Sequence, residues 1–355
     1  MRILFIVPEL SCGGAERVVS ILASALSGSN YDVYLMVHNN RKTSPYTLDE
    51  KIKLENVKFH YPKNHLYRLF EIIRRVFKLR NGIFKISPDY VVASLTGCAM
   101  ITLLSLLFSN KKVVVCEHNQ YYSIKNPLKR LLRNIIYFRA DRITILTKRD
   151  ISNYPFFLKN KLIVQENPLS WAPEMFIRPK WHGKLLAVGR LENQKNIAEL
   201  IEIVSLLKEK NLNVTLDIVG HGSLLANLQR KVESFGLSES VNFLGERSDM
   251  SDIYKNHDLL VMTSHYEGLP MVIAEAFSRS LPVIAYDCPT GPREMIDEGI
   301  NGYLIQQYNK NDFCQSIIML SVNDEAYQAM QLQAFLKSSQ WDTHNIVEKF
   351  KGILL

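Results

Sequence analysis

Short, nearly continuous apolar runs alternate along the chain with segments whose apolar residues recur every three or four positions. The first run, "RILFIVPEL", leads through a glycine turn, "SCGG", into "AERVVSILASALS", a pattern that predicts a strand, a turn and an amphipathic helix. Further strands are predicted at "DVYLMVH", "YVVASL" (90–95), "KVVVCEH" (112–118) and "RITILT" (142–147), with helical patterns between them. Past "ENPLSWAPEMF" (166–176) the rhythm restarts with strand "KLLAVGR", helix "NIAELIEIVSLLKEK", strand "VTLDIVG", helix "LLANLQRKVESFG" and strand "VNFLG". It continues with "LLVMTS", helix "MVIAEAFSR" and strand "PVIAYD". Strands that are apolar on both faces and alternate with helices predict parallel sheets covered on both sides. Two such runs predict two doubly wound α/β domains with a cleft between them.

Length agrees with this division, since 355 residues exceed one typical core. The longest apolar run, "CAMITLLSLLF" (98–108), is too short to span a bilayer and is expected to be a core helix. "MRILFIVPEL" runs directly into a strand and lacks a signal-peptide layout, so a cytoplasmic protein is expected. Five cysteines without a CxxC pair predict neither a disulfide framework nor a thiolate zinc site. The net charge of +8 is unevenly spread. Residues 1–172 hold 26 Lys+Arg against 12 Asp+Glu, leaving 17 (43 − 26) against 23 (35 − 12) for the rest. A basic half suits nucleic acid, anionic lipid or a phosphorylated ligand. No nucleic-acid-binding motif accompanies it, so nucleic acid is not an expected partner.

Ligands of open α/β sheets bind beyond the carboxyl ends of the strands, where helix N-termini present free N–H groups. The turns after strands therefore carry the candidate chemistry. In "VGRLENQKN", Arg190 and Lys195 lie at a helix entrance, where two cations suit a diphosphate. In "YEGLPMVIAEAF", Glu267 precedes a helix and Glu275 lies within it. On a continuous helix the two would sit about 80° apart, able to face one side. Gly268, Leu269 and Pro270 form a sharp turn able to hold phosphate or sugar oxygens. Thr290 belongs to another constrained bend, "DCPTGPREMI"; Gly220 and Gly222 form a tight turn in "VGHGSLLANL", which lacks the third glycine of a dinucleotide fingerprint. Gly13 and Gly14 follow the first strand and permit close backbone approach, and His118 ends another strand. Each is open to a plainer reading: surface cations, a carboxylate complementing a helix dipole, a structural histidine.

Taken together, "GGAER", "EH", "GRL…K" and "EGLP…E" resemble the large family of retaining glycosyltransferases with the GT-B fold, over essentially the whole chain. "CPTGPREMI" is most similar to members that build bacterial surface polysaccharides such as O-antigen or capsule. The resemblance implies an N-terminal acceptor-side domain, 1–172 plus 341–355, and a nucleotide-sugar donor domain, 173–340. It also implies transfer of a hexose or N-acetylhexosamine from a UDP-sugar to a growing lipid-linked glycan. In that scheme Arg190 and Lys195 clamp the diphosphate, Glu275 holds the ribose and Glu267 contacts the sugar, which His118 overlies. Gly268–Pro270 cradle sugar and phosphates, Gly13 and Gly14 line the diphosphate and acceptor side, and Gly222, Gly245 and Glu246 border the nucleoside. No Asp-x-Asp and no metal-ligand cluster is present, so neither metal nor cofactor is expected. The alternatives are a UDP-sugar epimerase of the same shape and a non-catalytic nucleotide-sugar-binding assembly protein.

Two segments of the basic half, "LYRLFEIIRRVFKLR" (66–80) and "PLKRLLRNIIYFR" (127–139), pair apolar residues with cations. Each can be a core-packed helix with a charged outer face or a helix at an anionic bilayer. Two in one half favour peripheral membrane contact at the inner face of the cell membrane.

Overall fold

The computed structural model describes residues 1–10, 14–29, 31–38, 47–59 and 65–355, with residues 65–69 described by backbone alone. Gly13 therefore lies outside the described residues. The chain divides into two compact units, Met1–Ser170 with Thr343–Leu355, and Trp171–Asp342. Compared with the boundaries expected at 172/173 and 340/341, Trp171, Ala172, Trp341 and Asp342 fall with the second unit. The indole Nε1 of Trp171 donates to Ser278 Oγ (2.9 Å), and the ring of Trp341 packs against Phe277.

The first unit holds seven strands: β1 (Arg2–Val7), β2 (Asp32–Val37), β3 (Lys53–Asn56), β4 (Tyr90–Ser94), β5 (Lys112–Cys116), β6 (Arg142–Ile145) and β7 (Leu162–Val164). They form one parallel sheet in the order β3-β2-β1-β4-β5-β6-β7. The crossovers contain α1 (Gly14–Gly28), α2 (His65–Ile86), α3 (Thr96–Ser105), α4 (Pro127–Tyr137) and the short α5 (Phe156–Lys159). Alternate residues of β1 feed opposite cores, Ile3, Phe5 and Val7 on the α1 face, Leu4 and Ile6 on the face of α2 and α3. That two-residue alternation is why the strand is apolar throughout.

In the second unit β8 (Lys184–Val188), β9 (Thr215–Val219), β10 (Val241–Gly245), β11 (Leu259–Met262), β12 (Val283–Tyr286) and β13 (Gly302–Ile305) pair in parallel, in the order β10-β9-β8-β11-β12-β13. Its helices are α6 (Ile197–Glu209), α7 (Leu225–Ser234), α8 (Met250–Lys255), α9 (Met271–Phe277), α10 (Pro292–Met295), α11 (Lys310–Ser321) and α12 (Asp324–Ser338). Strand order reverses beside β1 in one sheet and beside β8 in the other, as in doubly wound folds. The last helix, α13 (Thr343–Leu354), completes the first unit, burying Ile346, Val347 and Phe350 beside α1. Phe350 stacks on Phe5 at 6.2 Å, so truncating either ring removes about 3–5 kcal/mol of packing.

One segment departs from the ordinary amphipathic pattern. Arg133, Asn134 and Tyr137 of α4 are buried, whereas Leu128, Leu131, Leu132 and Ile135 are exposed. Arg133 is thus an internal cation and not a surface one. Among the described residues no helix is long and apolar enough to cross a membrane.

Candidate functional site

Within the second unit, the turns that leave β8, β9 and β11 are tied to one another. The turn after β8 begins at Gly189, whose N–H donates to Val219 O of β9 (2.9 Å). Gly220, at φ +135°, comes so near it that an added Cβ would lie 2.0 Å from Gly189 O. A Cβ at Gly222 would lie 2.4 Å from Leu191 O. Both glycines are therefore dictated by backbone contact. The Leu191 N–H donates to His221 O (2.8 Å), and Glu192 accepts from Ser223 N–H and Oγ, both at 3.0 Å. Those two bonds hold the Glu192 carboxyl below its usual pKa. Gly245, at φ +68°, accepts from the Gly220 N–H (2.8 Å); Glu246 beside it reaches His221 Nδ1 on the exposed surface (2.6 Å).

The second junction joins the turn after β8 to the turn after β11. A 3₁₀ turn, Asn193–Lys195, precedes α6, and Asn196 follows it in the left-handed region (φ +49°). Gln194 O accepts from the His265 N–H (2.9 Å), and Gln194 Nε2 donates to Tyr266 O (3.0 Å). Thr263 Oγ1 donates to Asn196 O (3.0 Å). This scaffold brings Lys195 Nζ to 2.7 Å from Glu267 Oε1, with both side chains largely buried. Arg190 is exposed and its Nη2 donates to Gln194 Oε1 at 3.3 Å, a long bond that constrains it weakly.

The two glutamates do not share a helix face. Helix α9 starts at Met271, so Glu267 lies outside it and the projected 80° separation does not apply. Glu267 is held by Lys195; Glu275, inside α9 and buried, accepts from the Tyr254 hydroxyl of α8 (2.9 Å). Arg178 fixes the end of α8 by donating to Tyr254 O (2.7 Å) and Lys255 O (3.0 Å). The Gly268–Leu269–Pro270 bend is braced from the turn after β12. Thr290 Oγ1 donates to Glu267 O, and Gly291, at φ +96°, abuts the bend so closely that a Cβ would sit 2.5 Å from Gly268 O. Among the sequence candidates, then, Lys195, Glu267, Gly268, Pro270 and Thr290 are linked through short contacts, and Arg190 is joined to them through its long bond to Gln194. Glu275 is anchored to a different element.

In the first unit, His118 lies just past the end of β5 and lines a small pocket with Glu117, Thr144 and Asn167. Its ring nitrogens are buried and without a hydrogen-bond partner among the described residues. Burial lowers its pKa to about 4, and Asn167, near but outside hydrogen-bond geometry, opposes this. The ring is therefore neutral at pH 7. Glu117, the neighbour of His118 in the "EH" pair, has no role predicted from the sequence. It is buried and accepts from Thr96 Oγ1 (3.0 and 3.1 Å) and from the Tyr137 hydroxyl. Its pKa is raised by burial, an effect those donors oppose. Gly14 opens α1, where an added Cβ meets nothing within 4 Å among the described residues, so packing does not explain that glycine. Gln194 and Ser264, whose buried hydroxyl is unmatched among the described residues, also escaped sequence reasoning. Neither carries a charge or a motif that would mark it.

With the geometry in place, comparison with known proteins adds an independent line. Residues 178–336 match the family described as glycosyl transferases group 1, and residues 12–150 match glycosyltransferase family 4. The amylovoran biosynthesis glycosyltransferase AmsD of Erwinia amylovora is 31% identical over 367 residues, covering 99% of each chain. A Campylobacter jejuni enzyme is 26% identical over 310 residues, covering 86% of this chain and 84% of its own. Its name describes an alpha-1,4-N-acetyl-D-galactosaminyltransferase acting on a GalNAc-containing diNAcBac-PP-undecaprenol. Among solved structures, Anabaena Alr3699/HepE in complex with UDP and glucose superposes with a TM-score of 0.79 at 17% identity, covering 99% of this chain and 98% of that one.

Proposed function

The chain belongs to the group 1 glycosyltransferases of GT-B fold, and we propose that it moves a hexose or N-acetylhexosamine from a UDP-sugar to a growing, lipid-linked bacterial surface glycan with retention of anomeric configuration. The observation that carries this reading is the Lys195–Glu267 contact of 2.7 Å, with Arg190 leaning on the same scaffold through Gln194. It joins a candidate phosphate clamp to a candidate sugar ligand. AmsD and the C. jejuni enzyme support the glycan-building role, the latter's undecaprenol-linked substrate supports a lipid-linked acceptor, and UDP in HepE supports the nucleotide.

The chemistry follows from charge. As the glycosidic bond breaks, negative charge develops on the departing diphosphate, and positioned cations stabilise it more than mobile water does. A lysine ammonium has three donors, so Lys195 can keep Glu267 and still bind a phosphate oxygen. Arg190 supplies a planar fork and, being weakly held, can swing onto the diphosphate. In this scheme the two cations take the place of a divalent ion, and no cofactor is required. Glu275 receives the ribose hydroxyls, with one oxygen steadied by Tyr254. Glu267 accepts from a sugar hydroxyl while Gly268, Leu269 and Pro270 cradle sugar and phosphate. Gly222, Gly245 and Glu246 border the nucleoside. Gly13, Gly14 and His118 serve the acceptor side and the reacting sugar; neutral His118 offers a hydrogen bond without adding charge. The acceptor's proton passes to the leaving phosphate, so neither glutamate acts as a general base. The reaction is placed at the cytoplasmic face of the cell membrane.

A donor panel tests this: the purified protein should release UDP from one UDP-hexose or UDP-N-acetylhexosamine only when a glycan acceptor is present. Acceptor-free conversion of the donor would indicate an epimerase, and binding without turnover would indicate a non-catalytic protein.

A further inference from the structure

Helix α4 is turned with its apolar stripe outward. Leu128, Leu131, Leu132 and Ile135 occupy positions i, i+3, i+4 and i+7, and all four are more than half exposed (74%, 54%, 52% and 58%). Arg130, Arg133, Asn134 and Tyr137 form the interleaved stripe on the opposite side. Its polar members hold the helix in this orientation. The Arg133 guanidinium lies 4.4 Å from the ring centre of Tyr121 and 5.0 Å from that of Tyr154, and donates to Asn134 Oδ1 (2.9 Å). Asn134 Nδ2 donates to the Tyr121 hydroxyl (2.9 Å), and the Tyr137 hydroxyl donates to buried Glu117. Rolling the helix over would break the contacts to Tyr121, Tyr154 and Glu117, which lie outside it, and strand buried polar groups at about 1–3 kcal/mol apiece. The start is equally fixed, by Pro127 and by the Asn126 carboxamide accepting from Leu128 N (2.9 Å) and Lys129 N (3.1 Å).

The apolar surface continues beyond the stripe. Phe138 at the end of α4 and Phe156 of α5 are exposed. So are Leu107 and Phe108, just past α3, and Ile73, Phe77 and Phe84 of α2, and α3 packs against both α2 and α4. Exposed cations flank it: Lys125, Lys129 and Lys159 around α4, and Arg74, Lys78 and Lys85 on α2. From Tyr121 to Phe138 there is no Asp or Glu. An apolar surface alone would fit any greasy partner. An apolar stripe among cations, with no nearby acid on its own helix, fits an anionic bilayer, where alkyl side chains enter the acyl boundary and lysine heads meet lipid phosphates.

We propose that the outward face of α4 is a membrane-docking surface: Leu128, Leu131, Leu132, Ile135 and Phe138 insert into the interface while Lys125 and Lys129 contact anionic headgroups. This builds on the lipid-linked acceptor proposed above by giving the enzyme a fixed attachment to the surface where such an acceptor resides.

The test uses the full chain in co-sedimentation with phosphatidylglycerol–phosphatidylcholine vesicles, at low and high salt. Wild type should bind and keep part of its binding at high salt. The triple variant Leu131→Gln, Leu132→Gln, Ile135→Gln should lose at least about tenfold in partitioning, on the scale of one buried leucine. Lys125→Ala with Lys129→Ala should weaken binding mainly at low salt. Because these side chains are exposed, the variants should keep the wild-type melting temperature and UDP release with a soluble acceptor. Vesicle binding by the triple variant equal to wild type would overturn the proposal. So would absence of wild-type binding, or a triple variant that only converts a dimer to a monomer. Wild-type vesicle binding without any UDP release would instead refute the proposed reaction and leave the docking surface standing.

Discussion

Lys195 Nζ lies 2.7 Å from Glu267 Oε1 although the two residues are 72 positions apart, and both side chains are mostly withdrawn from solvent. A half-dry pair of this kind is costly to break on one side only, because the surviving charge keeps its desolvation penalty. Lys195→Met or Glu267→Gln alone should lower stability by about 2–4 kcal/mol, while the double variant should lose much less than the sum. Denaturant unfolding of the four proteins measures that coupling. Strictly additive losses would mean that the contact has no energetic weight.

Arg190 should behave differently. It is exposed and weakly bonded, so Arg190→Ala should leave the melting temperature within about 2 °C while lowering kcat at least about a hundredfold, the scale of one lost transition-state donor. A fall in stability as large as that of the Lys195 variants would place Arg190 in the scaffold and not in the reaction.

Burial lowers the pKa of His118 to about 4, against an ordinary value of 6.5. Above 6.5 the ring is neutral in folded and unfolded states and contributes nothing to the pH dependence. As pH falls from 6.5 towards 4, the unfolded chain takes up the proton first, so stability is lost across that window, about 3 kcal/mol in all. His38, also lowered to about 4 by burial and next by Arg75, acts in the same direction. The unfolding free energy should therefore decline between pH 6.5 and 4, and His118→Gln should flatten part of that decline. An activity inflection near pH 6.5 that disappears in His118→Gln would contradict a neutral, buried ring.

The glycines divide into two classes with opposite outcomes. Gly222→Ala places a Cβ 2.4 Å from Leu191 O and should destabilise the second unit by several kcal/mol or prevent its folding. Gly14→Ala meets no atom within 4 Å among the described residues, so the melting temperature should hold, and any loss of turnover reports a clash with ligand. Thermal unfolding alongside UDP release separates the two. Equal tolerance at both positions would refute the packing account.

Much of the fold was legible because buried parallel strands are apolar on both sides: β1, β4, β5, β8, β11 and β12 stand out against their flanking helices. Edge strand β3 (Lys53–Asn56) was missed because its mostly exposed "KLEN" carries no such signal. In α4 the periodicity revealed two stripes but not which one faces inward, since that choice depends on Glu117, Tyr121 and Tyr154, which lie outside the helix. The candidate site shows the same limit. Cations, glutamates and glycines could be read as chemistry, whereas the pairing of Lys195 with Glu267 and the bridging by Gln194 arise only when the turns after β8 and β11 meet. A neutral glutamine holding two backbones together leaves no mark on a sequence.

The central claim is that Arg190 and Lys195 hold the donor's pyrophosphate, and calorimetric titration of UDP against uridine addresses it directly. Wild type should bind UDP at least about tenfold more tightly than uridine, and Arg190→Ala should shed most of that difference while binding uridine unchanged. Equal affinities for UDP and uridine in the wild-type protein, or an unaltered UDP preference in Arg190→Ala, would contradict the account.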